Sequence, residues 1–169
     1  MTQRSLRFRL LVAAAASITA ALFIAGLSLV IIFEYHVERR IGAELETYLN
    51  QIAASLGVMA DGRIAFSQEL ADPRFNHPLS GLYWQIQDEE RPTLLRSRSL
   101  WDSVIALPAD TLAPGSVHEH LLPGPAGQEL IVRERRIIVR PDSVERRIRI
   151  AVAVDKRTLA EARNAFATD

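Results

Sequence analysis

From Leu10 to Phe33 the chain runs for 24 residues without a charged side chain, and no other stretch of the sequence is comparably apolar. Ala13 to Ala16, Ala20, Ala21 and Leu22 favour helix, and Ser17, Thr19 and Ser28 can return their hydroxyl bonds to the helix backbone. At ~1.5 Å per residue such a helix extends about 36 Å, more than the ~30 Å hydrocarbon core of a bilayer, so it spans with some tilt. A cleaved signal peptide is the alternative, but its apolar core is only about 7 to 15 residues long. Here the run continues past each cluster of small residues to Val30, Ile31, Ile32 and Phe33, which predicts an uncleaved anchor.

Beyond the span the pattern changes period. Val37, Ile41, Leu45, Tyr48, Ile52 and Leu56 fall on one stripe of a helix from Glu34 to about Ala60, with Arg39, Arg40, Glu44, Thr47, Asn50 and Gln51 opposite. No breaker separates this helix from the span, so the two form a rod able to transmit a displacement. The stripe must pack on the domain or on the same helix of a second copy. Asp61-Gly62 is the expected stop.

Strand signals follow. Arg63 to Phe66 is a short candidate, and Gly81 to Gln87 with Thr93 to Leu100 flank a charged loop from Asp88 to Pro92 as a hairpin. Leu107 to Gly115 reads as loop or a short helical turn. Val117 to Leu122 and Glu129 to Arg140 flank Pro123-Gly124-Pro125-Ala126-Gly127, a second hairpin. Pro141-Asp142-Ser143 turns the chain into Arg147 to Val154, where Ile148, Ile150, Val152 and Val154 alternate with Arg147, Arg149, Ala151 and Ala153; this predicts a strand with one face buried and one solvated. Asp155 is a plausible N-cap for a closing helix from Lys156 to Ala167. The expected fold is α+β, with helices on one face of an antiparallel sheet of about five or six strands.

Length and composition fit that layout: 169 residues with 49% hydrophobic content suffice for one span and one domain with its own core, and not for a second domain. Charge adds the orientation. Arg4, Arg7 and Arg9 precede the span with no acid among them, leaving 17 of the 20 basic residues against all 20 acidic ones from Glu34 on. The positive-inside rule then places residues 1–9 in the cytoplasm and residues 34–169 outside, in the periplasm if the cell is Gram-negative and the anchor lies in its inner membrane. The balance gives no footprint for nucleic acid. With no cysteine there is no disulfide, thiol nucleophile or cysteine metal site.

Candidate chemistry is sparse. Residues two apart on a strand face the same way, so His118 and His120 can hold a metal ion if a neighbouring Asp or Glu adds a third ligand; an exposed or hydrogen-bonded pair at a strand edge is the plainer reading. The stretch His118 to Pro123 also matches, by letters, the phosphoacceptor box of histidine kinases. That box belongs on a cytoplasmic helix before an ATP-binding domain, whereas this one lies between Gly115 and Gly124 on the outer side, and it is set aside. Arginine is concentrated at Arg91, Arg96 and Arg98 and again at Arg133, Arg135, Arg136, Arg140, Arg146, Arg147 and Arg149. Guanidinium forks suit a small anionic ligand or acidic lipid headgroups, while pairing with Glu129, Glu134 and Glu145 on a solvated sheet is the alternative. The candidate ligand site is Arg96 and Arg98, alternating on one strand beside Trp101 and opposite Tyr83 and Trp84. No catalytic set and no cofactor motif stands out.

Three stretches carry a resemblance: Asp72-Pro73-Arg74-Phe75, Pro78-Leu79-Ser80-Gly81-Leu82-Tyr83-Trp84-Gln85, and Leu95-Arg96-Ser97-Arg98-Ser99-Leu100-Trp101-Asp102. Together with His36 to Arg40 (HVERR) and Ala151 to Asp155 (AVAVD), they resemble the sensor region of a group of proteobacterial two-component sensor histidine kinases. The resemblance implies a homodimeric receptor whose external PAS-like domain sits between two membrane helices and controls a cytoplasmic autokinase acting on a response regulator. A second membrane helix, a linker and the kinase core should then follow Ala167, and only Thr168 and Asp169 do. On that reading the chain is a fragment, without kinase activity of its own, that reaches the response regulator only through the missing core. The competing expectation is a single-span periplasmic binding or assembly factor that acts by protein contact.

Overall fold

In the computed structural model residues 3–59, 62–66, 70–109, 113–140 and 145–157 are described. The chain divides into two compact units, Met1–Arg39 and Arg40–Asp169.

The first unit is helical and belongs to helix α1, assigned from Gln3 to Ser55. Phe8–Ile32 is long and apolar enough to cross a membrane, and none of it is buried by protein. The hydroxyls behave as expected for an apolar surrounding: Thr19 Oγ1 donates to the Ala15 carbonyl at 2.9 Å and Ser28 Oγ to that of Ile24 at 2.8 Å.

In the second unit α1 ends at Ser55, earlier than the helical pattern predicts, because Leu56–Val58 forms strand β1. It pairs antiparallel with β2 (Ile64–Phe66), Leu56 opposite Phe66 and Val58 opposite Ile64. Gly62 permits the tight return at φ +76°, and its N–H donates to the Met59 carbonyl at 2.8 Å. Asp61 lies outside the described residues.

Five further strands form one antiparallel sheet in the order β4-β3-β7-β6-β5. They are β3 (Leu82–Asp88), β4 (Leu94–Arg96), β5 (Val117–Pro123), β6 (Glu129–Val139) and β7 (Arg146–Asp155). Both expected hairpins are present, β3–β4 across the charged loop and β5–β6 across the Pro-Gly segment. The fold is α+β.

The predicted strand from Thr93 to Leu100 stops at Arg96. Ser97 and Ser99 are buried; Ser97 N still donates to the Trp84 carbonyl at 2.9 Å, but the other bonds are made by hydroxyls, Ser97 Oγ accepting from Trp84 N at 3.1 Å and Ser99 Oγ donating to the Leu82 carbonyl at 2.7 Å. The chain then winds into a 3-10 turn, Arg98–Leu100.

β7 departs further from expectation. It lies at the centre of the sheet and is buried on both faces. On one face Ile148, Ile150 and Val152 meet Leu45, Leu49 and Ile52 of α1, with Leu82 and Ile86 of β3. Each such side chain contributes about 1.5–3 kcal/mol when fully buried. On the far face Ala151 and Ala153 pack with Tyr83, Leu100, Ile105, Leu130 and Val132. The cover there is the segment Leu100–Ala109, and the two alanines leave room for it. Gln85 fixes this strap: its Nε2 donates to the Ile105 carbonyl at 3.0 Å and its Oε1 accepts from Ile105 N at 2.9 Å.

Pro141 to Ser143 lies outside the described residues, as does most of the predicted closing helix. At the boundary Asp155 Oδ1 accepts from Arg157 N at 2.9 Å.

Candidate functional site

The residues singled out for an anion pocket do not converge. Tyr83 and Trp84 are neighbours on β3 and therefore face opposite sides of the sheet. Tyr83 is fully buried on the far face, where its hydroxyl donates to Gln128 Oε1 at 2.6 Å and accepts from Gly81 N at 3.1 Å. Burial raises its pKa above the ordinary tyrosine value. Trp84 packs on the α1 side, its ring 5.2 Å from that of Phe66. Arg96 spends its guanidinium on the strap, donating to the carbonyls of Asp102 at 3.2 Å and Ser103 at 3.0 Å. Arg98 is exposed, and Trp101, at φ +56°, is 61% exposed.

The structure assembles polar side chains in several other places, two of which bear on how α1 and the strap are held. The first is the seam between α1 and the sheet. Arg133 and Arg135, on the α1 face of β6, reach Glu46 at 3.6 and 3.4 Å, and Arg135 Nη1 donates to Asn50 Oδ1 at 2.5 Å. Glu119 on β5 holds Arg133 from the other side at 3.0 Å. Gly42 makes room for this guanidinium, since a Cβ there would lie 2.5 Å from Arg133 Nη2.

At the same seam, Asp72 caps the 3-10 turn Pro73–Asn76 by accepting from Arg74 N. It accepts from Tyr48 Oη at 2.8 Å as well, and Arg74 bridges it to Glu44, at 2.7 and 2.9 Å. The Arg74 hydrogen bond, followed by smaller contributions from the Arg74 backbone and Tyr48, holds the Asp72 carboxyl at about 2 against the opposing effect of burial. Burial and then the Asp72 hydrogen bond push the Tyr48 hydroxyl up to about 12. Phe75 sits beneath, edge-on to Tyr48 with ring centroids 5.1 Å apart. Thus Asp72-Pro73-Arg74-Phe75 is one of the pieces that fix the sheet domain to α1.

The second place is the far face. Glu134 is fully buried, and its Oε1 receives Arg149 Nε at 2.7 Å and Nη2 at 2.5 Å. Arg149 Nη2 also donates to the Pro108 carbonyl at 2.8 Å, tying the ion pair to the strap. Glu89 lies 2.7 Å from Arg136 and 4.0 Å from Arg149. On β5 the rings of His118 and His120 share this face, with centroids 6.3 Å apart, and His120 Nε2 lies 3.6 Å from Glu134 Oε2. Among the described residues no group of three or more His, Asp or Glu is placed to hold a metal ion.

A cleft of about 420 Å³ opens between the β3–β4 hairpin and the strap, lined by Gln87, Arg91, Thr93, Leu94, Val104 and Leu107 among others. The sequence pointed to Arg91 only as one of many arginines. The strap itself carries no periodic pattern that would have marked it as a cover.

These arrangements hold a helix and a strap onto a sheet through ion pairs and hydrogen bonds. Comparison with family models, curated proteins and solved structures gives no match for this chain.

Proposed function

We propose that the chain is the signal-input region of a membrane-bound two-component sensor histidine kinase, anchored in a bacterial inner membrane with residues 1–9 cytoplasmic and a PAS-like domain in the periplasm. The observation that carries the reading is the content of α1. One helix contains a segment able to cross a bilayer and, at Arg40–Ser55, a segment joined to the sheet by apolar contacts and by Arg74, Arg133 and Arg135. A stimulus that shifts the second segment has a covalent route to the first. The five-stranded antiparallel sheet with its strap, and the motif at Asp72 to Phe75, support the PAS-like sensor reading.

In this proposal the receptor is a homodimer. Its stimulus is a small anionic ligand, and the response regulator is met through a kinase core downstream. The coding sequence after Asp169 tests it directly. An apolar run of about 20 residues followed by a kinase core is the expected result. A stop codon there would sink the proposal in favour of a single-span binding or assembly factor.

A further inference from the structure

Trp101 stands where the backbone calls for glycine. Leu100–Ser103 is a β-turn closed by Ser103 N donating to the Leu100 carbonyl at 2.9 Å, and Trp101 occupies its first central position at φ 56°, ψ −114°. Those angles belong to a type II′ turn, where glycine sits without strain and a bulky side chain does not. Burial does not offset the strain, since Trp101 is 61% exposed. Leu79, on the loop before β3, repeats the combination at φ 58° and 46% exposed. Leu79 N donates to the Ser99 carbonyl at 2.9 Å, so the two loops are tied and present these residues on one corner of the domain.

That corner lies at the end of the sheet where α1 arrives. Gly42 sits over Arg133 and Asn50 meets Arg135, so α1 runs along the sheet from the Leu82–Val154 end toward the Ile86–Ile150 pair. Ser99 Oγ, donating to the Leu82 carbonyl, fixes the Trp101 turn at the same end. Ser80 Oγ, donating to the Arg74 carbonyl at 2.6 Å, joins the Leu79 loop to the Arg74–Glu44 bridge. Only residues 33–39 lie between Phe8–Ile32 and the start of this unit at Arg40, a tether of less than about 30 Å even at full extension. Where Phe8–Ile32 crosses a bilayer, that tether holds the corner at high effective concentration beside a headgroup layer. Arg98 and Asp102, both exposed, flank Trp101 in sequence with one charge of each sign. They complement the phosphate and ammonium of a zwitterionic headgroup, and an indole suits the boundary between apolar chains and water.

We propose that Trp101 and Leu79 form a lipid-contact corner, seated in the headgroup layer of the membrane that holds α1. Their side chains enter the layer, while Arg98 and Asp102 remain with its phosphate and ammonium groups. This contact rests on the membrane-anchor part of the proposed function and not on the kinase.

Quenching of tryptophan emission tests it, with the full chain reconstituted in phosphatidylcholine vesicles that carry a lipid labelled with nitroxide on its headgroup. The chain has two tryptophans, so the difference between wild type and Trp101→Phe isolates Trp101. The labelled lipid is expected to quench this difference signal by at least about half and to leave the Trp84 emission of Trp101→Phe nearly unchanged. Leu79→Ser should weaken the quenching, and an unchanged value overturns the part assigned to Leu79. A Trp101 signal that labelled lipid does not quench overturns the proposal: the turn faces water if iodide quenches it, and a second copy of the chain covers it if iodide does not. A chain that fails to float with the vesicles overturns the anchor reading and this contact with it, whereas one that floats with Trp101 unquenched overturns the contact alone.

Discussion

Arg149 on β7 and Glu134 on β6 form an ion pair inside the domain, with Nη2 2.5 Å from Oε1 and both side chains buried. The pair lies on a strand face that alternation in the sequence marks as solvated, and it is buried because the strap crosses it. Removing one partner leaves the other charge buried without compensation. Arg149→Met or Glu134→Leu alone should each lower stability by about 3–5 kcal/mol, whereas the double substitution should recover most of the loss. Urea unfolding of the four proteins gives the coupling energy, and additive losses would show that the charges act separately.

The α1 seam is apolar at its centre. Leu49 is fully buried against the sheet, while Thr47, two residues before it, is exposed. Leu49→Ala should cost about 2–5 kcal/mol, and Thr47→Ala should stay within about 0.5 kcal/mol. Thermal unfolding separates the two. Equal effects would mean that α1 is not docked in this register.

Asp72 gives the seam a pH dependence in acid. Its folded value, about 2, is below the ordinary 3.8, so its contribution is fully present above that ordinary value and is lost as pH falls toward 2. The contribution is about 2 kcal/mol at most, because Arg74 is partly exposed and solvent weakens its hold. Wild-type stability should therefore fall more steeply than that of Asp72→Asn between pH 5 and 2. Parallel curves would contradict the assignment.

Gly42 is a buried helix-interior glycine whose space is taken by the Arg133 guanidinium. Gly42→Ala should gain about 1 kcal/mol of helix propensity and lose a similar amount by displacing Arg133 from Glu46, for a small net change. In an Arg133→Ala background the same substitution should stabilise by about 1 kcal/mol. Differential scanning calorimetry of both backgrounds checks this, and a destabilisation in each would place a rigid neighbour over Gly42.

The elements legible in the sequence were those with an unbroken period. The apolar run gave the candidate span, Ile148 to Val154 gave β7, and Pro-Gly chemistry gave the β5–β6 hairpin. Of the helical stripe, Leu45 and Ile52 are buried against the domain's own sheet and Ile41, Tyr48 and Leu56 pack on it partly buried, although the stripe omitted Leu49, which is fully buried. What escaped was set by contacts distant in sequence. Nothing local to Thr93–Leu100 shows that Ser97 and Ser99 will bond Trp84 and Leu82 and end the strand. Nothing near Arg149 shows that residues more than 40 positions earlier will cover it. The aromatic-arginine pocket failed for a simpler reason: Tyr83 and Trp84 are adjacent on a strand and cannot share a face.

The central claim is that Arg40–Ser55, held on the sheet by Arg133 and Arg135, is the moving part through which a stimulus reaches the membrane helix. Autophosphorylation of the complete receptor in membrane vesicles, comparing wild type with Arg133→Ala/Arg135→Ala, tests it most directly. The account predicts a changed unstimulated output, by several-fold, in a protein that still folds and inserts. The same output from the variant, or a gene encoding no kinase core, would contradict it.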